Sequence, residues 1–105
     1  MAGPTLVIDL MTPLGFRVVC SKEQWERITT IKHPPMRGRL TDVVSTLADP
    51  DEIRRSVGDP NVILFHRRVA PRWVCAVAKH ADGSGYLITA YPADKIKRGE
   101  VLWTK

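Results

Sequence analysis

Two β-rich apolar runs open the chain, within "TLVIDLMTPLGFRVVCS", and the Pro- and Gly-marked stretch "TPLG" between them predicts a hairpin. The pattern then changes period. In "SKEQWERITTIKHPP", Ser21 stands as N-cap with Gln24 three residues on, and Trp25, Ile28 and Ile31 form an apolar stripe. The spacing predicts a helix that Pro34 and Pro35 stop, with His33 just before the stop. Leu40, Val43, Val44 and Leu47 fall at i, i+3, i+4 and i+7, the clearest helical period in the chain. In "DPDEIRRSV", Asp49 as cap, Pro50 at the first helical position and Glu52 predict a further short helix ahead of the turn "GDPN".

The second half reads as strand. "VILFHRR" and "WVCAVAKHA" are joined by "VAPR", and "WVCAVAKHA" meets "GYLITAY" through "DGSG", a hairpin signal. Runs apolar at consecutive positions imply a sheet covered on part of both faces. The expected fold is one α+β domain over residues 1–105. An N-terminal hairpin and a C-terminal three-stranded meander form an antiparallel sheet, with two to three helices packed on one face. Beyond Pro92 a short basic tail is expected, with Lys95, Lys97 and Arg98, and with Trp103 anchoring it to the core.

Length changes little in this picture: 105 residues bury one core without a metal or disulfide staple. Charge adds more. A net charge of +5 and a pI of about 9.6 suit a phosphate-rich partner. Cys20 and Cys75 lie in apolar strand-like runs and are expected to be buried reduced thiols. No apolar run is long enough to span a membrane, and the first residues lack the basic segment of a secretion signal, so a cytoplasmic protein is expected.

The histidines His33, His66 and His80 have no partner at i+3 or i+4, so no metal is expected. There is no P-loop, no G-x-G-x-x-G and no G-x-S-x-G, and no cofactor is expected. The remaining chemistry is metal-free: His33, the pair Arg67 and Arg68, Thr89, Tyr91 and the tail cations. These are the groups that RNA cleavage uses. A base takes the 2′-hydroxyl proton, cations hold the charge that builds on the phosphoryl oxygens, and a hydroxyl orients one of them. Period-2 alternation puts Arg67 and Arg68 on opposite faces, so only one of them can line a given cleft, and puts Thr89 and Tyr91 on the same face. His66 and His80 receive a structural reading alone.

The segments "PLGFRVVCSKEQWERITTIKHP", "LADPDEIRRS" and "LITAYPADKIKRGEVLW" resemble a family of small prokaryotic proteins grouped with the Barnase–EndoU–colicin–RelE ribonucleases, over roughly Pro13 to Trp103. The resemblance implies a Barnase/RelE-like fold with its site on the open face of the sheet. It implies a metal-independent endoribonuclease acting as a toxin, in a toxin–antitoxin or phage-related system, with RNA as substrate and an acidic antitoxin as partner. Carried onto this chain, it implies His33, Arg67 and Thr89 as catalytic residues, with Arg68 the alternative to Arg67 and Tyr91 stacking on a base; Arg68, Tyr91 and the tail cations Lys95, Lys97 and Arg98 are then the expected RNA-binding residues. A non-catalytic RNA- or protein-binding domain of the same fold is the alternative reading.

Overall fold

The computed structural model describes residues 3–105. The strands are β1 (Leu6–Met11), β2 (Arg17–Ser21), β3 (Glu52–Ser56), β4 (Val62–Val69), β5 (Arg72–Ala81), β6 (Ser84–Ala93) and β7 (Gly99–Thr104). They form one seven-stranded sheet in the order β1-β2-β6-β5-β4-β3-β7. All neighbours pair antiparallel except β2 and β6, which run parallel through one register pair, Val19 opposite Tyr86. The expectation of an antiparallel sheet with two to three helices packed on one face is therefore corrected. The sheet is mixed, and the described residues hold two short α-helices, α1 (Lys22–Arg27) and α2 (Leu40–Ala48).

Two further corrections explain this. "DPDEIRRSV" is not a helix: its centre is β3, paired with β4 on one side and β7 on the other. Ladder hydrogen bonds on both flanks and the complete burial of Ile53 outweigh the local capping signal. Asp49 caps the C-terminus of α2 instead. The "tail" is also structural. Asp94–Arg98 leads from β6 across the sheet, and Gly99–Thr104 adds the outer strand β7, where Trp103 packs on the core opposite Ile53.

Local signals hold elsewhere. The first hairpin and the β4–β5–β6 meander form as expected. The Ser21 hydroxyl accepts from the Gln24 amide at 3.1 Å, starting α1. Val43 and Leu47 of α2 are fully buried against Ile63, Phe65, Val74 and Ala76. Each such side chain contributes about 1.5–3 kcal/mol by leaving water. This face holds the main core. The opposite, open face carries a smaller cluster of Leu64, Cys75 and Val77, flanked by Val62, Ile88 and Tyr91. No helix among the described residues is long and apolar enough to cross a membrane.

Candidate functional site

The open face contains a cleft of about 740 Å³. Its floor is Val62, Leu64 and Val77; its walls bring together His33, Thr89, Tyr91, Lys97 and Arg98. Lys97 and Arg98 come from the segment between β6 and β7, and two local irregularities place His33, Thr89 and Tyr91.

The first irregularity is a π-helical turn, Ile28–Lys32, that continues α1. It is closed by the His33 amide donating to the Ile28 carbonyl at 2.7 Å. The wider turn breaks the expected stripe: Ile28 is fully buried but Ile31 is 74% exposed. Pro34 excludes helical geometry at His33, which adopts φ −141° and turns out of the helix. Its ring lies 5.3 Å from that of Tyr91, tilted by 39°.

The second is a bulge in β6. Val77 pairs with Thr89 but Ala78 pairs with Leu87, so Ile88 is the extra residue. Without it, Leu87 and Thr89 would share a face. With it, Leu87 and Ala90 join the main core while Thr89 and Tyr91 turn to the cleft. The Ile88 carbonyl accepts from Gln24 Nε2 at 2.8 Å and from Lys32 Nζ at 3.2 Å, which ties the helix end to the bulge.

The electrostatics are one-sided. No carboxylate lines the cleft. Elsewhere Arg17, Arg39, Arg54, Arg55, Arg67, Arg72, Lys79 and Lys105 each pair with an Asp or Glu. Lys22, Arg27, Lys32, Arg37, Arg68, Lys95, Lys97 and Arg98 pair with none among the described residues; of these only Lys97 and Arg98 line the cleft, and the Lys97 ammonium sits 5.5 Å from the centre of the Tyr91 ring. Thr89 Oγ1 and Tyr91 OH are buried and have no hydrogen-bond partner among the described residues. Burial, foremost, pushes the Tyr91 phenol well above its ordinary range, and lifts the thiol of Cys75, opposite it on β5, to about 11. Both stay protonated at neutral pH. An anion with a flat or apolar portion fits such a cleft; a cation does not.

Arg67 is not part of it. It pairs with Val74 of the main core and so faces the helix side, where its Nη1 donates to the Asp49 carbonyl at 2.7 Å and to Oδ2 at 3.0 Å. Hydrogen bonds from Lys105 and Arg67 hold the Asp49 carboxyl below its ordinary range. Arg68 faces the open side, but its guanidinium stands 5.6 Å over the Trp73 ring, outside the cleft lining. Lys95 is exposed on the crossing segment and also lies outside. The cleft adds a rim that sequence reasoning missed: Ser56, at the end of β3, with Val57 and Gly58 just after it. Val57 is 78% exposed, an apolar side chain held at the mouth of the cleft.

His66, expected to be structural, lies outside the cleft lining. It is fully buried on the open face under the crossing segment, and its Nε2 accepts from the Lys97 amide at 3.3 Å. Burial, foremost, pushes its imidazole down to about 4, so it is neutral at ordinary pH. His80 keeps a packing role, stacked on Phe16 with ring centres 4.1 Å apart. Among the described residues no three His, Cys, Asp or Glu side chains converge as metal ligands would. No family model, no curated protein and no solved structure matches this chain.

Proposed function

We propose that the cleft binds single-stranded RNA and cleaves it without a metal. The carrying observation is the convergence of one imidazole, two unpartnered hydroxyls and two unpaired cations on a cleft with no carboxylate. His33 takes the proton of a 2′-hydroxyl. The 2′-oxygen attacks the adjacent phosphorus, the bond to the 5′-oxygen breaks, and solvent water protonates that oxygen as it leaves. The products are a 2′,3′-cyclic phosphate and a 5′-hydroxyl. Lys97 and Arg98 take the charge-stabilising role expected of Arg67, and the Thr89 hydroxyl donates to a phosphoryl oxygen. A base stacks against Tyr91 and His33 over the apolar floor. In a cell this activity acts as a toxin, held in check by an acidic protein whose carboxylates cover the unpaired cations.

A second reading, binding without cleavage, is supported by one observation. The lining holds a single imidazole, and the phenol beside it is made a poorer acid by burial. One assay separates the two. The purified chain is incubated in EDTA with end-labelled single-stranded RNA, and with the same strand carrying 2′-deoxyribose throughout. We expect cleavage of the RNA alone. His33→Ala should lower the rate by about 10²–10⁴ and Thr89→Val by about 10²–10³. Arg67→Ala, on the other face, should leave the rate unchanged. Equal cleavage of the deoxy strand would sink the mechanism. Binding of both strands without cleavage of either would put the second reading first.

A further inference from the structure

The two cations of the cleft come from an irregular five-residue segment, Asp94–Arg98, between β6 and β7. Such a segment does not by itself hold two long side chains in place, because every ordered rotamer opposes conformational entropy. Its backbone is gripped at one residue. The Lys97 amide donates to His66 Nε2 at 3.3 Å, and Arg54 Nη1 donates to the Lys97 carbonyl at 3.2 Å. Arg54 is itself steadied by Glu52, whose Oε2 accepts from Arg54 Nε at 2.6 Å. His66 and Arg54 stand on neighbouring strands, and neither lines the cleft.

The choice of a histidine here needs a reason. Its Nε2 accepts from the strap, so in the neutral ring Nδ1 carries the hydrogen, and Nδ1 makes no well-formed hydrogen bond among the described residues although the Glu52 backbone is near enough to favour the protonated ring. A buried N–H without a well-formed hydrogen bond is unfavourable, and an apolar side chain of similar volume would avoid it. What the imidazole adds is an acceptor aimed at one backbone amide. The groups around it are Glu52 and Arg54 of β3, Cys75 of β5 and Lys97 of the strap.

We infer that His66 and Arg54 are positioning residues: they clamp the backbone of residue 97 from both sides and thereby set where Lys97 and Arg98 meet bound phosphate. The inference rests on the nucleic-acid reading of the cleft, and adds to it two residues that never touch the ligand.

The test uses the full chain and three variants: His66→Leu removes the acceptor, His66→Gln places an amide oxygen near the Nε2 position, and Arg54→Gln removes the grip on the carbonyl. The probe is a short fluorescent 2′-O-methyl oligouridylate, which cannot be cleaved. Each protein is read twice, by the salt dependence of probe affinity and by hydrogen exchange at the Lys97 amide. His66→Leu and Arg54→Gln should lower the slope of log affinity against log salt by about 1.4, the value for two lost phosphate contacts. His66→Leu should also speed Lys97 exchange at least about tenfold. His66→Gln should restore both readings. Should His66→Leu fail to fold, Arg54→Gln decides through the same two readings. Wild-type slope and wild-type exchange in a folded His66→Leu protein would overturn the clamp. So would His66→Gln failing alongside it, since the imidazole would then serve packing alone. If the wild-type chain does not bind the probe at any salt, the nucleic-acid reading fails, and the exchange reading alone still decides whether the clamp exists.

Discussion

Replacing Lys97 and Arg98 together by alanine is expected to weaken single-stranded RNA binding by about 10²–10⁴. Hydrogen bonds to charged groups contribute about 1.5–3 kcal/mol each, and two are lost. The figure applies because neither cation is neutralised: no carboxylate of the described chain stands within ion-pair distance of either, and both line the cleft. The control must remove the same charge from another place. Lys22→Ala with Lys95→Ala does so, since Lys22 lies on α1 and Lys95 is exposed outside the cleft. Fluorescence anisotropy at fixed salt reads both. If the control pair weakens binding as much as the cleft pair, affinity follows net charge alone and the cleft is not the RNA site.

The second large effect is on the fold. Gly99 opens β7 opposite Ser56, and a Cβ added there would overlap the Arg55 carbonyl. A flexible side chain could move aside; a strand backbone does so only by shifting. Gly99→Ala should therefore push β7 from β3, straining the Arg55–Glu100 ion pair and the Arg54 bond to the Lys97 carbonyl. Overpacking of this kind costs about 1–3 kcal/mol. For a domain of this size each kcal/mol lowers Tm by about 4–8 °C. Gly58→Ala, at the cleft rim but with open space at its Cβ, should change Tm little. Calorimetry of the two proteins side by side gives the answer, and an unshifted Tm for Gly99→Ala would mean that the approach relaxes freely.

The parts of the fold that were legible in the sequence are those governed by neighbours in the chain. The Ser21 cap, the Leu40–Leu47 stripe and the "DGSG" hairpin each follow from residues a few positions apart. β3 was not legible, because "DPDEI" carries a helix cap locally; β4 follows within a few residues, but its other partner, β7, lies far away in sequence. β7 was hidden in the same way behind a run of basic residues. At the site, residue type singled out His33 and Thr89, but what brings them together is a π turn and a bulge, neither of which has a signature in this sequence. The sequence left both Arg67 and Arg68 possible at the cleft. "VILF" is apolar at consecutive positions and both faces are partly covered, so alternation alone cannot say which face is open. His66 was read as structural, and it is fully buried and holds the Lys97 backbone, an acceptor role for which the sequence carries no signal.

The crossing of the strap over the sheet also bears on the order of folding. β4, β5 and β6 are joined by tight turns, so the cleft floor, with Thr89 and Tyr91, closes through local contacts. β7 must pair with β3 across nearly half the chain, with Glu52 opposite Thr104, and it can do so only by passing over strands already in place. Loop-closure entropy makes such distant pairings the slower ones. The floor of the cleft should therefore exist, apolar and uncharged, before its cations arrive, so that affinity for RNA is acquired in the last step of folding. Pulsed hydrogen exchange during refolding would show this as late protection of the Lys97 amide and of β7 relative to β4–β6; simultaneous protection would mean that the sheet closes as one unit.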